Sequence, residues 1–218
     1  MGRAKALAVA ALFAVSACDT QPVPEPEDPY SEAAFRTWLA ADDDRAAEYE
    51  RFARFLADHG VADVVPAWQL ARTDANYAAR CGFEAFELPP EAKWPAIVPT
   101  LRLVHEEVLP VVGRVEVFAS NRSAALNTCV RGAKGSRHLA FAAVDLIAPA
   151  YEDKRRLFSD LCAMHRRVGP RTAMGLGAYY DPEKPRPSRL GRFHLDASGY
   201  RTWGFDYTRS SSGCFKLG

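Results

Sequence analysis

Two histidines and a carboxylate stand in this chain at positions that suit one divalent cation. His138 and Asp145 lie seven residues apart, and His194 follows in the run Phe193-His194-Leu195-Asp196. Two imidazoles and one carboxylate are the ligand set of an open zinc site: three protein ligands, with a fourth position left for water or substrate. Ahead of His138 come Arg122 and a Gly-rich approach, Arg131-Gly132-Ala133-Lys134-Gly135-Ser136. Spacing alone is a weak signal, since any two histidines can also be surface residues.

Strands have to present these side chains. In a strand through Ala143, Val144 and Asp145, Ala143 and Asp145 share a face. Ala143 is small and leaves room beside a ligand. In the run from Arg192 to Asp196 the even positions share a face, so His194 and Asp196 look at one site while Phe193 and Leu195 enter the core.

The remaining pattern supplies the scaffold. Helix is expected over Ser31–His59, with a break near Ala41, over Ala67–Ala71, and over Trp94–Val112, where Ile97, Leu101, Val104, Val108 and Val112 recur at spacings of three and four. Further helices are expected over Ser123–Val130, with Ser123 as N-cap, and over Tyr151–Val168. Strands are expected over Val115–Phe118, Phe141–Ile147, Gly175–Tyr180 and Arg192–Leu195. A Pro-rich loop spans Asp181–Leu190, and Gly199–Gly204 is a turn. Helices first, then short strands mixed with helices, define an α+β domain. His105 belongs to an exposed helix face, and His165 reads as structural.

The chain has 218 residues, 48% of them hydrophobic, which suffices for one domain with a real core. A net charge of +1 gives no global field that favours nucleic acid. Residues 1–17 read as a signal peptide: Arg3 and Lys5, then an apolar run from Ala6 to Ala17 that is too short for a permanent span. Val15-Ser16-Ala17-Cys18 resembles a bacterial lipobox, so Cys18 becomes a lipidated first residue and the membrane a partner. An ordinary cleavage near Ala17 is the alternative. Residues 18–30 are Pro-rich and acidic, an extended tether. The other four cysteines, Cys81, Cys129, Cys162 and Cys214, fit two disulfides in any of three connectivities.

The segment SNRSAALNTCVRGAKGSRHLAFAAVDL resembles the core motif of the M15 metallopeptidases, which are D-Ala-D-Ala carboxypeptidases and peptidoglycan endopeptidases that share a fold with the Hedgehog signalling domain. Arg122, Asn127, Gly132-Ala133, Ser136, His138 and Asp145 each occupy a position of that pattern. Phe193-His194-Leu195-Asp196, with Gly199, Arg201, Trp203 and Gly204, resembles the closing His-x-Asp strand of one M15 branch. The resemblance covers roughly Trp94 to Gly204. It implies a small antiparallel sheet with flanking helices over 94–218, preceded by a helical extension over 31–93. It also implies Zn2+ held by His138, Asp145 and His194, with peptidoglycan peptides as substrate. Arg122 then grips a carboxylate or carbonyl of the peptide, and Ser136 positions substrate or a ligand. Two departures stand out. Phe141 replaces a common Gly, which would narrow the cleft. Gly191 replaces the Glu that usually serves as base, which leaves Asp196 as the candidate base or, alternatively, as the group that orients His194. Implied is a lipid-anchored envelope zinc peptidase; the rival is a non-catalytic envelope lipoprotein of the same fold that binds cell-wall peptides.

Overall fold

The computed structural model describes residues 28–75, 77–184 and 190–218. The expected signal peptide, Cys18 and most of the tether lie outside these residues, as does the middle of the Pro-rich loop. No helix among the described residues is long and apolar enough to cross a membrane.

The helical start follows its capping signals. Helix α1 (Glu32–Ala40) begins where Ser31 accepts a bond from the Ala34 N–H, and α2 (Asp43–Asp58) begins where Asp42 accepts from Arg45. The expected break near Ala41 is therefore the seam between two capped helices. The expected continuous helix over Trp94–Val112 is instead pieced together from a 3-10 stretch (Glu91–Ile97), α3 (Val98–Leu103), a π turn (Val104–Val108) and α4 (Leu109–Val112). Pro95, Pro99 and Pro110 account for this. Each lacks an N–H, and a ring inside a helix crowds the carbonyl four residues back, so the winding changes around it. The apolar face survives the change, and Leu101, Val104, Val108 and Val112 are all buried.

Five strands form one sheet in the order β1-β2-β4-β3-β5. They are β1 (Glu116–Ala119), β2 (Ala143–Ile147), β3 (Gly175–Ala178), β4 (Phe193–Asp196) and β5 (Arg201–Trp203). The span expected to be a plain turn, Gly199–Gly204, carries β5, which runs parallel to β3. The remaining helices are α5 (Ala124–Cys129), α6 (Lys154–Val168) and α7 (Gly213–Lys216).

Alternation divides the sheet into two chemistries. Val144, Leu146, Leu176, Phe193 and Leu195 are fully buried in the main core, together with Leu157, Phe158, Leu161 and Met164 from the apolar stripe of α6. Each such side chain contributes about 1.5–3 kcal/mol by leaving water. The opposite face carries Asp145, His194 and Asp196. The extension is not packed apart from this sheet: Phe52 of α2 sits 6.0 Å from Phe141, and both belong to the same core. Phe141 itself lies at φ 53 in a turn just before β2 and is completely buried. It points into the core and does not line the cleft, so the expected narrowing there does not occur.

Two disulfides form, Cys81–Cys129 and Cys162–Cys214. The first ties the loop after Asp74 to the end of α5. The second ties α6 to α7. Between them they settle the three-way choice left by cysteine count.

Candidate metal centre

Register brings the three ligands together. Asp145 on β2 pairs with His194 on β4, and His194 pairs in turn with Gly177 on β3. These residues make one row across the polar face of the sheet. His138 reaches the row from the 3-10 turn Arg137–Ala140, just before β2. The Nε2 of His138 lies 3.1 Å from the Nδ1 of His194 and 3.3 Å from the Oδ1 of Asp145. The Nδ1 of His194 lies 3.0 Å from the same carboxylate oxygen. All three residues are buried, and they form a group able to bind a metal ion.

The donor chemistry fits a cation at the centre of this triangle. His138 Nδ1 donates to the Ser120 carbonyl at 2.6 Å, which leaves Nε2 with a bare lone pair. His194 Nε2 donates to Asp196 Oδ2 at 3.1 Å, which leaves Nδ1 with a bare lone pair. With both rings neutral, two lone pairs and a carboxylate oxygen face one another. Ligand atoms about 2.0–2.1 Å from a tetrahedral zinc stand roughly 3.3 Å apart, the scale seen here.

Electrostatics sets the three groups apart. Burial pushes the Asp145 carboxyl up, but His138 and Arg192 beside it prevail and hold it well below the usual carboxylate range. Burial lowers His138. Burial would lower His194 too, but its bonds to Asp145 and Asp196 win and raise it.

Asp196 stands behind the ligand triangle. It is completely buried, sits behind His194 and does not line the cleft. Arg201 grips both its oxygens, at 3.0 and 2.7 Å. Burial raises its pKa, but the bonds from His194 and Arg201 outweigh this and hold it at about 2. These contacts suit the orienting role, in which Asp196 fixes the His194 imidazole from behind. Asp196→Asn should weaken metal binding by about 10- to 100-fold while the chain stays folded, read by competition against a chelating dye.

Glycines keep the polar face open. A Cβ on Gly177 would lie 2.8 Å from the Cβ of His194 and 3.0 Å from the Tyr179 hydroxyl. A Cβ on Gly175 would lie 2.7 Å from Asp196. Gly177→Ala should cost about 1–3 kcal/mol in chemical denaturation and loosen the metal, because the nearest obstacle is the stem of a ligand and cannot swing aside.

The other expected residues fall in or beside a cleft of about 480 Å³ above the triangle. Arg122 is buried there. Its Nη2 lies 3.2 Å from Asp74 and 3.9 Å from Asp145 Oδ2. Asn127 braces the arrangement by donating to the Ala133 carbonyl at 3.1 Å. Gly132 is required beside it, since a Cβ would collide with the Asn127 Oδ1. Ser136 lines the cleft, half-buried, at the start of the turn that carries His138. His105 is exposed, as expected. His165 is buried, bonds to the Met174 carbonyl at 3.2 Å and stacks on Tyr200, so its role is structural.

Two residues that line the cleft escaped the sequence. Asp74, from the extension, lines the cleft and is almost wholly buried. Arg192 lies 3.2 Å from Asp145 Oδ2 and 4.0 Å from Asp74. Alternation would have given Arg192, which shares the face of His194. Nothing in the local pattern marks Asp74.

What fold and site define together is an α+β protein with a buried His–Asp–His group, able to bind a metal ion, at the foot of a cleft. No protein-family model, curated protein or solved structure matches this chain.

Proposed function

We propose that this protein is a zinc-dependent peptidase of the M15 type, with a Hedgehog-like arrangement, that cuts peptide bonds in peptidoglycan stem peptides or cross-links. Export and lipid anchoring at Cys18 place it in the cell envelope. The observation that carries the proposal is the convergence of His138 Nε2, Asp145 Oδ1 and His194 Nδ1, with both imidazoles oriented from behind. Zinc bound there supplies a Lewis acid for the scissile carbonyl and an acidified water. The chain's own groups do the rest. Arg122, in the cleft and paired with Asp74, supplies positive charge to the substrate's carboxylate or carbonyl. Ser136 positions the peptide at the turn that carries His138. Proton transfer falls to a carboxylate beside the ligands: Asp196 behind His194, or Asp74, which with Asp145 completes the carboxylates lining the cleft among the described residues.

The test is mass spectrometry of purified muropeptides incubated with zinc-loaded protein. Loss of a terminal residue marks a carboxypeptidase and opening of a cross-link an endopeptidase. Intact muropeptides that nonetheless bind would favour the second reading, a non-catalytic envelope lipoprotein. A specific observation supports that rival. Gly191 stands where a base carboxylate is common, and a Cβ there would meet Lys154 and Leu157 of α6 and not the cleft.

A further inference from the structure

Cleft charge is unbalanced in a way the ligand triangle does not explain. Four guanidiniums line it, from Arg122, Arg137, Arg192 and Arg201, against two carboxylates, from Asp74 and Asp145. Three of the four have countercharges. Arg201 is neutralised by Asp196 at 2.7 Å. Arg122 and Arg192 share Asp74 and Asp145 within 3.2–4.0 Å. Arg137 is left over. It is exposed at the cleft, directly before His138, and no carboxylate of the described residues pairs with it. Any dication held by the triangle adds to the surplus. In a concave site with poorly polarisable walls, such an excess concentrates ligands of opposite sign.

Resting on the peptidase reading, we propose that the cleft selects an acidic peptide, with Arg137 as the specificity-determining residue for a carboxylate other than the one assigned to Arg122. The second carboxylate belongs to a residue near the scissile bond, because Arg137 is the chain neighbour of a metal ligand. Arg122 cannot serve both groups: its Nη2 already faces Asp74 and Asp145. A planar guanidinium with no protein partner takes a carboxylate in two parallel hydrogen bonds.

The experiment is calorimetric titration of the zinc-loaded full chain with two stem-type peptides that differ at one carboxylate, free in one and amidated in the other. The acid should bind about fivefold more tightly at low salt, the scale of one partly exposed charge pair. The preference should vanish near 1 M salt, where the Debye length is about 3 Å. Arg137→Gln should erase most of it without changing zinc content, and Arg137→Lys should retain part. Equal binding of both peptides by the unaltered protein overturns the inference and leaves the peptidase reading standing. An undiminished preference in Arg137→Gln overturns the role of Arg137. If neither peptide binds, both proposals fall.

Discussion

His138→Ala should yield a folded protein that retains no stoichiometric zinc and cuts no muropeptide. His138 supplies one of three ligand atoms, and its partners stand 3.1 and 3.3 Å away. Total binding energies of about 10–16 kcal/mol for four-ligand zinc sites give about 2.5–4 kcal/mol per ligand, a loss of about 70- to 900-fold in affinity. The two remaining ligands cannot repair the gap, because His194 Nδ1 and Asp145 Oδ1 are fixed on neighbouring strands in register. Three readings converge: zinc per chain by elemental analysis, product by mass spectrometry, and melting temperature with and without chelator. The unaltered protein should lose about 2.7 kcal/mol of stability when zinc at a hundredfold its Kd is stripped, and the variant should be indifferent. His105→Ala, on an exposed helical turn, should behave as the unaltered protein does. Cleavage that persists in a zinc-free variant would sink the metal mechanism.

Two members of the triangle were legible in the sequence through one short-range rule. Period-two alternation put His194 on the opposite face from Phe193 and Leu195, and the same rule sorted Asp145 from Val144 and Leu146. Both hold in the structure. Capping chemistry was equally local: Ser123 accepts from Leu126 at the start of α5, as its type and position require. Errors arose where a residue's role depends on something distant. Phe141 looks like the first residue of a strand until its backbone is seen at positive φ, which turns the ring back toward Phe52. Asp196 shares a face with His194, and from the sequence it reads equally as a base or as the group that orients the imidazole. Only Arg201, brought alongside by a parallel strand that the sequence hides in a glycine-flanked turn, shows that the carboxylate is engaged from behind. Asp74 is the extreme case. It lies 48 positions from Arg122, in a loop with no periodicity, and only tertiary structure joins the two.

Asp74→Ala should therefore be the most destabilising substitution in the cleft that removes no metal ligand. Asp74 and Arg122 are both buried, at 2% and 7% exposure, with 3.2 Å between Oδ2 and Nη2. Deleting one partner of a buried pair typically costs about 3–5 kcal/mol, because the other charge keeps its desolvation penalty and loses its compensation. Arg122 would be left to lean on Asp145, 3.9 Å away, and there it would compete with Arg192 and with the cation for one carboxylate. The melting temperature should fall by about 10 °C, and zinc affinity should fall with it. The sharper experiment is a double-mutant cycle with Arg122→Ala. Removing both charges should restore part of the lost stability, since the uncompensated guanidinium is then gone, yet turnover should stay abolished. Asp74→Asn separates structure from chemistry, because the amide keeps the volume and one acceptor for Arg122 but cannot take a proton. If that variant folds, holds zinc and turns over at the original rate, Asp74 is a strut that joins the helical extension to the ligand sheet and takes no part in proton transfer. Preserved zinc with lost turnover would establish that the extension supplies the base missing at Gly191.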